Sequence, residues 1–422
     1  MYGGIYLSNR KTAMIIGGGI GGLITALKLN RVGVSVRVFE SVETIKELGV
    51  GINLLPHAVR VLSELGLEEN LKKTGIPTAE LIYVNKFGKK IWQENRGLKA
   101  GYRWPQYSIH RGRLQMILLK AVKAEIGEDA VITGHHLTSF HDLGDKVTAY
   151  FVNKKTGKHL GSYSADMMIA ADGIHSVVRR FFYPDEGPPK FSGRILWRGI
   201  TEGTPFLTGQ SMIMAGHQDQ KFVAYPICPE TAAKGHSLIN WIAELTVGGD
   251  MPPRADWNHE VDKQKFLPEF LKWDFGWLDV PQIIEQAEDI YEFPMVDRDP
   301  LPKWTFGRVT LLGDAAHPMY PIGSNGASQA ILDADALAES ITKDQDAEIA
   351  LKSYEQLRLE PTSKIVYANR KNGPEEVMQI VEERAPNGFE RLEDVITQKE
   401  LEEIANKYKK IAGFDKQTLN NK

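Results

Sequence analysis

Five of the six residues from Gly17 to Gly22 are glycine, and the sequence around them reads AMII-GGGIGG-LITALKLNRVG-VSVRVFE. This is a short apolar strand, a glycine turn, an apolar helix and a second strand with alternating side chains: a βαβ unit in about thirty residues. Gly17, Gly19 and Gly22 fit G-x-G-x-x-G. In that pattern the first glycine makes the tight turn, the second lets backbone approach a pyrophosphate, and the third packs helix on strand. The helix N-terminus then faces the phosphates with roughly half a positive charge on its unpaired N–H groups. Glu40 ends the second strand, where a carboxylate accepts hydrogen bonds from a ribose diol. The unit predicts a dinucleotide site, without choosing between FAD and NAD.

The uncharged stretch between Lys11 and Lys28 has a second reading, the core of an export signal. Its glycines, the lack of a small-residue cleavage site and the direct run into a second strand argue against that. In 422 residues with 42% hydrophobic content there is material for two or three domains. A net charge of −3 offers no basic field for nucleic acid. No stretch reaches the ~20 apolar residues of a membrane span. Cys228 is the single cysteine, which excludes intrachain disulfides and thiolate metal clusters and fits a reducing, cytoplasmic home.

Further along, Pro56 suits a first helical turn and Gly66 a helix end. Gly49 and Gly51 precede that helix and either admit a flat ligand or form a plain loop. A hairpin is expected around Asn85 to Gly88. In YSIHRGRLQMILLKAVKAEIG, Leu114, Ile117, Leu118, Ala121, Val122 and Ile126 make a core stripe. Arg111 stands at the start of this helix, where a cation is out of place unless an anion or a surface ion pair answers it. His135, His136 and His141 lack the cysteine or carboxylate company of a metal site and read as solvated imidazoles. The strand MMIAA runs into DGIHSVVRR, placing Asp172 at a strand-to-helix turn where α/β sheets hold ligands.

From Phe191 to Val247 the pattern becomes short strands, RILWRGI, SMIMAGH, KFVAYPIC and SLINWIAEL, predicting an antiparallel sheet. A helical stretch at about 257 to 288 and a strand YEFPMVDR follow. The α/β style returns in RVTLLGDAAHPMYPIGSNGASQAILDADALAESI, with Asp314 leaving a buried strand and Gly323 and Gly326 at a helix N-terminus. The expected organisation is α/β: a Rossmann-like dinucleotide-binding domain over residues 1–185 and 299–370, an inserted antiparallel β-sheet domain over 186–298, and a helical segment over 371–422. Helices are expected at 346–370 and 396–411, with a frayed, polar last ten residues.

Together GGGIGG with Glu40, ADGIHSVVR, and LLGDAAHPMYPIGSNGASQAILDADALA resemble the FAD-dependent aromatic hydroxylases, the single-component flavoprotein monooxygenases of the p-hydroxybenzoate hydroxylase type. The wording of PQYSIHRGRLQMILL, FVAYPI, FPMVDRDPLP and IGSNGASQAILD is most similar to the phenazine-1-carboxylate monooxygenase branch of pyocyanin formation. The resemblance covers residues 12 to 370 and implies roles by position. Gly17, Gly19, Ile20, Gly21 and Gly22 would hold the FAD pyrophosphate, Glu40 the adenosine ribose, and Arg111 the phosphate or ribityl region. Gly51 and Leu137 would also touch the cofactor. Asp314 would bind the ribityl hydroxyls, and Gly323, Asn325, Gly326 and Ala327 would line the flavin ring. Asp172 and Arg179 belong to the turn linked to FAD and NAD(P)H alike, and Pro321 would meet the substrate.

The implied chemistry is the cofactor's: NADH or NADPH reduces the flavin, O2 adds at C4a, and the hydroperoxide delivers oxygen to an electron-rich ring. The chain must then keep water out. Tyr225 is the candidate base for a phenolic proton, or a packed strand tyrosine. Arg198 meets a substrate carboxylate or makes a structural ion pair; Arg194, four residues earlier, would share its face. Asn325 caps its helix or contacts substrate. The expected substrate is a phenazine-like or related N-heteroaromatic acid. The alternatives are an epoxidase or reductase on the same scaffold, or a flavin-bearing sensor without turnover.

Overall fold

The computed structural model describes residues 10–250 and 259–421, with backbone alone for His259 and Glu260. A six-stranded sheet runs in the order Thr305–Phe306, Val309–Leu311, Met167–Ala170, Thr12–Ile16, Ser35–Phe39, Val131–Ile132, parallel except for its first edge strand. Its central strands are apolar on both faces, as parallel strands covered by helices must be: Ile15, Val38, Met167, Ile169 and Leu311 are all buried. Helices Ile20–Arg31 and Gly326–Lys343 pack against each other on this sheet, joining the two ends of the cofactor-binding part.

The second sheet has eight strands: His259–Glu260, Ile290–Asp297, Lys190–Gly203, Ser237–Thr246, Gln220–Pro226, Ser211–Gly216, Glu80–Val84, Lys90–Asn95. Two features differ from the sequence reading. The hairpin around Asn85 belongs to this sheet and not to the first, and Glu80–Val84 pairs parallel with Ser211–Gly216, so the sheet is mixed. The helix expected over 257–288 is also broken. Among the described residues it survives as Leu267–Phe270 and Val280–Glu285, because Pro268, Gly276 and Pro281 interrupt the ladder.

Alternation along these strands makes two faces. One carries Ile195, Trp197, Phe222 and Trp241, with the short helices packed over them. The other carries Leu81, Tyr83, Met212, Met214, Val223 and Tyr225, and here Val377, Met378, Val381, Ile396 and Leu401 of the C-terminal segment close over it. Helix Gln398–Ile411 begins at a full capping box between Thr397 and Glu400. The last residues are not frayed: helix Lys416–Asn420 is docked, with Asn420 accepting from the Arg103 N–H at 3.0 Å and donating to Gly101 O at 2.8 Å. No helix among the described residues is long and apolar enough to cross a membrane.

Candidate active site

The glycine turn is built as a cradle. Gly17 has φ +108°, and a Cβ there would sit 2.3 Å from the carbonyl oxygen of Ala171. At Gly22 a Cβ would meet Gly17 O at 1.9 Å, whereas Gly19 has nothing within 4 Å. Bare backbone thus packs behind the turn and faces open space in front. The helix from Ile20 has no side-chain cap and no acid in its first turn, so its N–H groups are free for an anion. Gly21 packs on Leu312, and Ile20 is buried beneath the turn. Glu40 accepts from Gly18 N–H at 2.7 Å and from Val42 N–H at 2.9 Å, so the same carboxylate ties the turn to the second strand.

Asp314 follows the strand Val309–Leu311, just after Leu312, which packs on Gly21 of the turn. Its side chain is accessible, yet so much protein surrounds it that burial raises its pKa, with His317 and Arg111 working in the opposite direction. Among the described residues no side chain or backbone N–H donates a hydrogen bond to its carboxylate, leaving it available to hydroxyls. Arg111 is exposed, with no ion pair among the described residues, close enough to Asp314 and Arg198 to act on both. The cradle, the open carboxylate and the free cation fit FAD stretched between them. Its pyrophosphate would lie at Gly17–Gly22 and its ribityl chain at Asp314.

The loop carrying Asp314 is held by a group that sequence reasoning passed over. Asp333 is fully buried and accepts from His317 Nε2 at 2.5 Å, Arg358 Nε at 2.7 Å and Gly313 N–H at 3.0 Å. Burial alone would raise its pKa, but His317 and Arg358 together hold it down to about 2. A carboxylate inside the apolar helix QAILDADALA was the available signal.

Several assigned residues do something other than expected. Arg179 is buried and its guanidinium is consumed by Glu186 and the carbonyls of Ala315, Ala316 and Asp299. It clamps the Asp314 loop and has little left for a cofactor, although a cavity of about 240 Å³ opens beside it. Asp172 accepts from Val177 N–H at 2.8 Å at the entry to the Val177–Phe182 helix; burial raises its pKa. Leu137 has its side chain in the core, so its main chain alone is left for contact. Asn325 makes no cap. Its amide donates to Tyr408 Oη at 2.8 Å and to Gly323 O at 3.2 Å. Gly323, with φ +69°, is required because a Cβ would strike Tyr408 Oη at 2.1 Å. Gly326 and Ala327 open the helix behind this loop, Gly326 facing free space, and Pro321 is exposed at its start.

On the sheet, Arg198 donates to Gly51 O at 2.9 Å, Asn240 accepts from Gly51 N–H at 2.6 Å, and a Cβ on Gly51 would meet Asn240 at 2.7 Å. Arg198 Nε has no hydrogen-bond partner, and burial lowers the residue's pKa. Tyr225 hydrogen-bonds Arg198, but burial pushes its pKa up to about 12. At neutral pH the phenol is protonated, and the raised pKa disfavours the ionised form that a base would need. Arg194 does not join Arg198 at a substrate acid: it pairs with Glu244 at 2.9 Å, and Glu244 and Glu375 both pair with Lys221.

A backbone cradle for a dinucleotide, a carboxylate along its path and an enclosed apolar sheet face at its end define an FAD-dependent aromatic hydroxylase, which uses reduced nicotinamide and O2 on a small aromatic substrate. The chain belongs to the FAD binding domain family, which matches residues 10–368. It is 46% identical over 360 residues to the phenazine 1,6-dicarboxylic acid hydroxylase PhzS of Lysobacter antibioticus, covering 85% of this chain and 88% of that protein. It is 31% identical to 3-hydroxybenzoate 6-hydroxylase 1 of Aquipseudomonas alcaligenes, covering 83% and 86%. Among solved structures, a salicylate hydroxylase substrate complex superposes with a TM-score of 0.73 at 22% identity, over 98% of this chain and 97% of that one.

Proposed function

We propose that this enzyme hydroxylates a fused N-heteroaromatic ring bearing a carboxylate, of the phenazine class. The observation that carries the reading is the 46% identity to a hydroxylase whose name gives a phenazine dicarboxylate as substrate. The chamber supports it: Leu81, Tyr83, Met212, Met214 and Val223 present a flat, apolar and polarisable wall. When bound, FAD supplies the redox chemistry between reduced nicotinamide and O2 that places one oxygen atom on the ring.

The residues of the chain do the rest. The buried face and the C-terminal helices over it exclude water. Tyr225, protonated and held by Arg198, donates a hydrogen bond that orients a ring substituent. Gly51 lets backbone approach the ring system closely, fixed on both sides by Asn240 and Arg198. Cys228 is buried and unpaired, which supports a reducing cytoplasm as the enzyme's compartment. The test is oxygen-dependent NADH and NADPH consumption across phenazine acids, benzoates and alkenes, with product masses. Phenazine acids should give the highest kcat/KM with a hydroxylated product; preference for a single-ring benzoate or an alkene would overturn the reading.

A further inference from the structure

A small cavity lies where the flavin-facing loop, the apolar sheet face and the C-terminal helix Gln398–Ile411 meet. Its wall includes Gly323 and Ser324 of the loop and Met212 and Met214 of the sheet. The lining also carries a polar group: Tyr83, Glu94, Arg96, Gln106 and Lys409. Arg96 is 8% exposed, Tyr83 1% and Gln106 3%, so these groups have left water.

Their hydrogen-bonding capacity is not used up. Tyr83 Oη, Arg96 Nε and Gln106 Oε1 have no hydrogen-bond partner, and Glu94 Oε2 has none beyond its ion pairs. Buried donors without a partner are costly, so the two donors, Tyr83 Oη and Arg96 Nε, point to an acceptor ligand that completes them. The charges do not balance either. Glu94 Oε2 lies 3.2 Å from Arg96 Nη2 and 3.1 Å from Lys409 Nζ, so one carboxylate faces two cations. The neighbouring network cannot supply the missing anion, because Arg194 and Lys221 already offset Glu244 and Glu375. One positive charge is left in excess around Glu94, shared between buried Arg96 and Lys409, whose side chain is 23% exposed.

We propose that Arg96, assisted by Lys409 and the Tyr83 hydroxyl, is the carboxylate-recognising pole of the substrate chamber, an inference that rests on the reading of the substrate as an aromatic acid. The acid docks against the Arg96 Nε edge and Lys409, and the ring extends across Met212 and Met214 toward Gly323. Burial holds the Tyr83 phenol well above its ordinary pKa, so it stays a donor to the acid. Burial also lowers Lys409, with Glu94 partly restoring it; an incoming carboxylate restores it further. The cavity volume is about 20 Å³, the room of one water. A ring therefore enters by displacing the two flexible methionines and helix Gln398–Ile411. This pole takes the place of the Arg194–Arg198 pair that strand spacing suggested, and it draws on a segment beyond residue 368, where the family match ends.

The test uses the FAD-loaded enzyme and two probes, phenazine-1-carboxylate and unsubstituted phenazine. Arg96→Gln should lower kcat/KM for the acid roughly 30- to 100-fold, mostly through KM, as expected for a charge-assisted bond worth about 1.5–3 kcal/mol. Turnover of phenazine and the bound-flavin spectrum should change less than about threefold, which also shows that the variant is folded. Arg96→Lys should recover part of the loss for the acid alone. Equal losses for both probes in Arg96→Gln, or none for the acid, would overturn the pole while leaving the substrate reading intact. Failure of the wild-type enzyme to consume either ring would overturn the substrate reading and the pole with it.

Discussion

In the cofactor cradle, Gly17, Gly19 and Gly22 fall within six residues of sequence, and what they offer FAD is backbone. The proposed substrate chamber draws Leu81, Met212, Tyr225 and Leu401 from segments up to 320 residues apart, and what it offers is side chains. The cradle tolerates no side chain at Gly17 or Gly22, where a carbonyl oxygen stands in the place of the Cβ. The chamber is faced with methionine and aliphatic groups that can shift. Rigid chemistry is thus held by a local motif, and selectivity by a surface that exists only once the chain has folded.

The largest expected effect is in the cradle. Gly17→Val puts a β-branched side chain at φ +108° with its Cβ against Ala171 O, so FAD binding should be abolished and the fold weakened by at least ~3 kcal/mol. Met212→Leu, on the chamber wall, should cost less than ~1.5 kcal/mol and leave FAD in place. Flavin content and melting temperature of the two variants measure the contrast directly; equal losses would erase it.

Next comes the Asp333 network that braces the cofactor loop. Its folded pKa, held down to about 2 from an ordinary 3.8, stabilises the protein above pH ~4, and that stabilisation is lost as pH falls toward 2. The shift corresponds to about 2 kcal/mol. Asp333→Asn should therefore melt lower at pH 7 and show a shallower decline than wild type between pH 4 and 2. Parallel acid profiles in the two proteins would refute the assignment.

Smaller still is Glu40→Ala, which removes charge-assisted hydrogen bonds worth about 1.5–3 kcal/mol and should weaken FAD roughly 10- to 100-fold in an equilibrium titration. Smallest is Tyr225→Phe. Because the phenol is already protonated, a few-fold loss in hydroxylation is expected with no new limb in the pH profile between 6 and 9. A limb present in wild type and absent from the variant would return Tyr225 to the role of base. Its pKa, raised from 10 to about 12, favours the folded state below pH 10, and that contribution is lost as pH rises through 12.

Legibility in the sequence followed the same divide. The βαβ unit, the exit of Asp314 from its strand and the helix ending at Arg370 rest on period and local turn chemistry, and these were readable. The partner of Arg194 was not, because Glu244 is brought beside it by strand pairing across 50 residues. Nor was the place of the Glu80–Asn95 hairpin, since nothing local says which sheet a hairpin joins. Arg96 carries no motif at all. Its meaning comes from Glu94, Lys409 and an unanswered charge. Asn325 looked like a helix cap until Tyr408, 83 residues away, took its amide.

The most direct test of the account is turnover of an aromatic acid by the FAD-loaded enzyme under heavy-isotope O2 with NADH or NADPH. The account predicts a hydroxylated ring carrying one heavy oxygen atom for each nicotinamide oxidised. Nicotinamide oxidised at the same rate with and without the acid, yielding peroxide and no labelled ring, would contradict it.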